Sequence, residues 1–202
     1  MSAPPIPDKP TLQGLREAVQ GCRACELYKD TTQAVFGEGL ARAEVVFVGE
    51  QPGDREDREG HPFVGPAGRM LDQALADAGI DRKAAYVTNT VKHFRHSERG
   101  KRRIHQRPGA EHIKACRPWL DAELALIEPR VLVCLGAVAA QALLGSKVRV
   151  TKDRGRPLES ELAPVVIVTI HPSAILRERD APAREQAYAD FVADLRVVAR
   201  SL

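Results

Sequence analysis

The stretch AEVVFVGEQPGDRED, residues 43–57, decides the fold. Its first half is a short β-branched apolar run, as expected for a strand buried on both faces, and its second half is a polar Gly/Pro turn. Three further runs read the same way: AAYVTN at 84–89, RVLVCLG at 130–136 and PVVIVTI at 164–170. Helical patterns surround them. TLQGLREAVQGC at 11–22 comes first, AGRMLDQALADAGI at 67–80 ends near Gly79, and AEHIKACRPWLDAELALI at 110–127 stops before Pro129. GAVAAQALLGS follows the third strand directly, and AREQAYADFVADLRVVARSL closes the chain. Alternating strands and helices predict right-handed crossovers and a parallel sheet covered on both faces. The expected organisation is a single α/β domain over residues 11–202 behind a flexible, proline-rich leader at 1–10.

A chain of 202 residues can bury one good core and is too short for two ordinary domains. With 44% hydrophobic and 28% charged residues it reads as a soluble globular protein. No apolar run approaches the roughly 20 residues that span a bilayer, so no membrane partner is expected. MSAPPIPDKP lacks the apolar core of a signal peptide, which predicts a cytoplasmic chain. Disulfides are rare in that compartment, so the four cysteines need another use. The net charge of +3 hides a local concentration: Lys92, Arg95, Arg99, Lys101, Arg102, Arg103 and Arg107 are opposed only by Glu98.

Ligands of open α/β sheets bind beyond the carboxyl ends of the strands, where GEQPGDRED, TNTVKHFRH and HPSAILR all begin. These segments should meet at one pocket, with the basic loop opening onto the same edge. GEQPG is no dinucleotide fingerprint, and the chain has no P-loop, which disfavours a nucleotide-cofactor phosphate cradle. Gly49, Pro52 and Gly53 predict a tight turn that a flat ligand can approach, with Glu50, Gln51 and Asp54 at its rim. Phe63, in HPFVGPAGRML, is a candidate stacking platform for a base; the plainer alternative is a staple to the core. Asn89 can offer a donor and an acceptor to one edge of a heterocycle, or simply form a turn. His171, fixed by Pro172, can donate a hydrogen bond to charge growing on a leaving group, or cap a helix.

CRAC places Cys22 and Cys25 at metal-clip spacing, and Cys116 lies in IKACRPW. Cys134 sits inside an apolar strand and reads as an inert small hydrophobe. Three thiolates then call for a fourth ligand, for which His93 is the candidate. Zinc and an iron–sulfur cluster both remain compatible with this set.

Together, CRAC, VFGEG, VFVGEQPGDRED, PFVGPAGRMLD, YVTNTVKH, CRPWL, LGAVAAQALLG and HPS resemble the iron–sulfur family-4 branch of the uracil-DNA glycosylase superfamily through nearly the whole chain. The resemblance implies an α/β/α sandwich around a four-stranded parallel sheet and a deoxyuridine flipped from DNA into the pocket. It implies that Phe63 stacks on uracil, that Asn89 reads its polar edge, and that Gln51 and Asp54 line the pocket through backbone or side chain. His171 would stabilise the departing uracil anion. The position after TNTVK is commonly a cluster cysteine in family 4, and here it is His93. That departure, Glu50 in GEQPG and KRRIH at 101–105 are similar to UdgX-type proteins, whose loop histidine becomes covalently joined to DNA.

By that likeness the cofactor is a 4Fe–4S iron–sulfur cluster on Cys22, Cys25, His93 and Cys116, with a structural role, and the nucleophile is His105. Glu50 would orient the ring or take its proton. Lys101, Arg102, Arg103 and Arg107 would grip phosphates and also disfavour the imidazolium form of His105. The expected partner is single-stranded uracil DNA, bound by a monomer. Two other functions fit parts of the pattern: a family-4 hydrolase that turns over, and a non-catalytic single-strand binder indifferent to the base.

Overall fold

The computed structural model describes residues 3–202, so Met1 and Ser2 of the leader lie outside the described residues. In chain order it runs α1 (Leu12–Val19), β1 (Glu38–Gly39), β2 (Val45–Gly49), α2 (Asp54–Glu59), α3 (Pro66–Ala78) and β3 (Tyr86–Asn89). Then come β4 (His96–Arg99), β5 (Arg102–His105), α4 (Ala110–Ile127), β6 (Val131–Leu135) and α5 (Gly136–Leu144). The last elements are α6 (Val150–Asp153), β7 (Pro157–Leu158), β8 (Val165–Thr169), α7 (Pro172–Arg177) and α8 (Ala181–Arg200). No helix among the described residues is long and apolar enough to cross a membrane.

Strands β3, β2, β6 and β8 lie side by side and parallel, as the four apolar runs predict. Their side chains alternate between two cores. Phe47, Val133 and Ile167 pack with Leu71 of α3 and Phe191 of α8, whereas Val46, Leu132 and Val166 pack with Leu120 of α4 and Ala139 of α5. Each such side chain, fully withdrawn from water, contributes about 1.5–3 kcal/mol. Two short strands, β1 and β7, extend this centre antiparallel at its edges and make the sheet six-stranded among the described residues. At two residues each, they are too short to show a period in sequence.

In the β2–β3 connection α3 covers one face of the sheet, and α5, directly after β6, covers the other. The winding therefore reverses between these neighbours, and a crevice opens at their carboxyl ends. The basic segment beside this crevice is not the irregular loop expected from sequence. β4 and β5 form an antiparallel hairpin in which Arg99 faces Arg102 across a two-residue turn, Gly100–Lys101. Gly100 takes φ +60, the left-handed conformation that tight hairpin turns favour.

Candidate active site

The pocket is built around the end of β2. A Cβ on Gly49 would lie 2.4 Å from Asn89 Oδ1 and 2.7 Å from Phe63 Cζ, so only glycine lets these two side chains close on the strand end. Phe63 itself is held at φ +58, a left-handed conformation that a bulky residue keeps only where its surroundings impose it. Gly68 permits that fold of the chain, since a Cβ there would stand 1.6 Å from the Phe63 carbonyl oxygen. Asn89 is buried at the end of β3, and its side-chain amide makes no hydrogen bond among the described residues.

Asn89 is anchored from behind by Lys92, whose Nζ donates to the Asn89 carbonyl at 2.8 Å, to Thr88 Oγ1 at 2.7 Å and to Glu123. Glu123 also accepts from Tyr86 Oη at 2.8 Å and from the Gly37 amide at 3.1 Å. Lys92 and Glu123 are both fully buried. The placing of Lys92 in the exposed basic patch is thereby corrected: its charge is neutralised inside the domain, beneath the pocket.

His171 is the N-cap of α7, and its ring stacks toward Phe63 with centroids 6.3 Å apart and planes at 28°. Its Nδ1 accepts from the Ser173 amide at 3.2 Å and lies 2.8 Å from Ser173 Oγ, which in turn accepts from Arg177 Nη1 at 3.1 Å. A backbone N–H can only donate, so Nδ1 is the acceptor and the proton of the neutral ring sits on Nε2. Burial, then the charges of Arg177 and His105, push its pKa down to about 4. The ring is a neutral donor near neutrality.

His105 ends β5, opposite His96, and its ring rests against Phe94 at 6.1 Å, with His96 stacked on the same phenyl at 4.9 Å. Its Nε2 stands 3.4 Å from Glu50 Oε1, within ion-pair reach but without hydrogen-bond geometry; that oxygen is buried and has no hydrogen-bond partner among the described residues. Burial raises the Glu50 pKa against the opposing pull of Arg107 and Arg177. Burial also lowers that of His105, with Arg177 adding to the effect. The expectation that the loop's own Lys and Arg keep His105 neutral is thus corrected, because desolvation comes first and the helpful charge sits on α7.

Gln51 and Asp54 do not turn their side chains to the pocket. Gln51 Nε2 donates to the carbonyls of Arg95 at 3.0 Å and Gln106 at 3.1 Å, and its Oε1 accepts from the Arg95 amide, so it clamps both strands of the hairpin at their base. Asp54 is taken up by Arg58 and Arg103. Arg103, expected to grip phosphate, is mostly buried: it pairs with Asp54 and, at 2.6 Å, with fully buried Asp57, and lies over Phe94 at 5.4 Å. Two carboxylates and a ring hold it inward, which makes it a strut of the hairpin. Lys101, Arg102 and Arg107 are exposed.

A profile described as the uracil DNA glycosylase superfamily matches residues 36–196. The chain belongs to this superfamily. It is 40% identical over 176 residues to a type-4 uracil-DNA glycosylase of Thermotoga maritima, covering 87% of this chain and 88% of that protein. It is also 35% identical over 188 residues to the type-4 enzyme of Archaeoglobus fulgidus, covering 90% of each.

For a superfamily member the cysteines separate into two kinds. The sulfurs of Cys22 and Cys116 each receive an N–H, from Trp119 Nε1 at 3.3 Å and from the Lys92 amide at 3.4 Å, while burial raises the Cys25 pKa against the opposing pull of the nearby Leu27 amide. All three are buried and close enough to feel one another's charge. Donors aimed at buried sulfurs suit thiolates ligating a cluster, whose sulfurs accept such bonds. His93, next to Lys92, is buried with no side-chain hydrogen bond among the described residues. Among the described residues Cys134 has neither a donor nor a neighbouring thiol, only the apolar core.

Two participants were not singled out from sequence, Ser173 and Arg177. Their signal lay in HPSAILR, where residues four apart on a helix share a face.

Proposed function

We propose that this chain excises uracil from DNA and ends joined to the abasic sugar through His105. The observation that carries the reading is the His105–Glu50 pair at the pocket of Asn89, Phe63 and His171. Phe63 supplies the face on which a flipped uracil stacks, and the free amide of Asn89 meets its polar edge. The neutral Nε2–H of His171 donates to the uracil oxygen on which negative charge collects as the glycosidic bond breaks.

The bond to N1 breaks with its electron pair leaving on uracil, and the sugar gains oxocarbenium character. A ring nitrogen of His105 gives its lone pair to that anomeric carbon. Glu50, whose raised pKa makes it a better base near neutrality, takes the imidazolium proton. The product is an N-alkyl imidazole, a poor leaving group in the absence of a positioned water and acid, so one chain marks one uracil. Single-stranded DNA is the favoured substrate because its bases need no unpairing, and exposed Lys101, Arg102 and Arg107 supply phosphate contacts.

Cys22, Cys25, Cys116 and His93 would hold the 4Fe–4S cluster, which when bound cross-links the chain segments flanking the reactive hairpin. The type-4 names of the relatives favour a second reading, hydrolysis with turnover. A uracil-bearing oligonucleotide mixed with the protein and run on a denaturing gel separates the two. A conjugate that survives denaturation supports the covalent reading, and free abasic DNA without conjugate supports turnover. A chain that binds thymine DNA equally well and releases no base is a binder only.

A further inference from the structure

Where the chain leaves the hairpin, α4 and α5 border a groove of about 460 Å3. It starts at Arg107, two residues beyond His105, and runs along Lys114 on one wall. Ile113, Pro118 and Val138 give it an apolar lining, and no acidic side chain among the described residues borders it. Arg117, the third cation there, is already engaged: its Nε pairs with Asp121 and its Nη1 donates to the Ala142 carbonyl, which ties α4 to α5 and fixes the width. Arg107 and Lys114 have no side-chain hydrogen bond or ion pair among the described residues; the charge of Arg107 also reaches Glu50, while Lys114 is exposed beside the groove.

Cations that follow a phosphate backbone mark sequence-tolerant single-strand sites, and in this groove hydrocarbon stands where such sites usually offer an aromatic ring to a base. A protein segment would need acidic residues to answer these charges, whereas DNA reacting at His105 already brings phosphates to the groove's mouth. We propose that this groove holds a nucleotide of the strand beyond those immediately next to the uracil, its phosphate on Lys114 and its base against Ile113, Pro118 and Val138. The proposal rests on the uracil-DNA reading above and extends it to the path of the strand.

The test compares wild type, Lys114→Glu and, as a charge control away from the groove, Lys152→Glu. Two single-stranded oligonucleotides carry one uracil each, one with a single nucleotide on either side and one with eight on either side. Binding is read by fluorescence anisotropy and conjugate formation on a gel. Lys114→Glu is expected to weaken binding of the long strand about tenfold and to lower its salt slope by about one, the mark of a lost phosphate contact. Its reaction with the short strand should match wild type, and Lys152→Glu should change neither. An equal loss on both strands, or none on the long one, overturns the groove. A wild-type chain that makes neither abasic DNA nor conjugate overturns the functional reading instead, while the anisotropy comparison still decides the groove.

Discussion

Nε2 of His105 lies 3.4 Å from Oε1 of Glu50, and that oxygen has no hydrogen-bond partner among the described residues. A buried, unpaired acceptor costs about 1–3 kcal/mol, and the proposed role of Glu50 as a base would give that oxygen a proton to take. Glu50→Gln keeps the shape and removes the base. Conjugate formation in single turnover should slow by about 10²-fold while Tm holds or rises. An unchanged rate would leave Glu50 without a chemical role.

The His105 pKa is lowered, chiefly by burial. Its neutral, nucleophilic form therefore persists below the ordinary histidine value of about 6.5, and protonation removes it only at lower pH. The rate of conjugate formation should be level through neutrality and fall on acidification below that value. His171, pushed down to about 4, stays neutral across this range and adds no limb of its own. A profile still climbing between about pH 7 and 9 would mean an ordinary or raised His105 pKa.

Gly49→Ala places a methyl 2.4 Å from Asn89 Oδ1 and 2.7 Å from Phe63 Cζ. The added atom occupies the space where the side chains proposed to read and to stack the uracil meet. Uracil release should fall by about 10²-fold or more, as displacements near 1 Å can cause, with the circular dichroism spectrum retained. Release within a fewfold of wild type would place the uracil elsewhere.

The N–H donors separate the cysteines. Cys116→Ala should remove the iron and the broad visible absorbance, and Cys134→Ala should keep both at a cost of about 1–3 kcal/mol from lost packing. His93→Ala should lower iron content as well. Iron unaffected by His93→Ala but lost with Cys134→Ala would reverse the ligand assignment.

The four central strands were legible because AEVVFVG, AAYVTN, RVLVCLG and PVVIVTI are buried on both faces and carry no polar alternation to confuse the period. The meeting of Gly49 with Asn89 and Phe63, and of Gly136 with His171, was legible for the same reason, since the ends of neighbouring parallel strands converge whatever their loops contain. What failed were charges. Lys92 and Arg103 look exposed in a basic run, yet each meets carboxylates from distant segments, Glu123 on α4 and Asp54 with Asp57 on α2. Gln51 likewise reads as a pocket residue until its carbonyl partners, Arg95 and Gln106, are brought to it by the hairpin. Such long-range pairings leave no local pattern. The hairpin did leave one, Gly100 heading a two-residue turn within RGKR, which the density of charge obscured.

The most direct measurement is peptide mass spectrometry of the protein after reaction with a uracil-bearing single strand and nuclease digestion. A deoxyribose phosphate mass on the peptide containing His105, fragmenting at that residue and absent in His105→Ser, is the predicted result. An unmodified His105 peptide beside stoichiometric free abasic DNA would contradict the account.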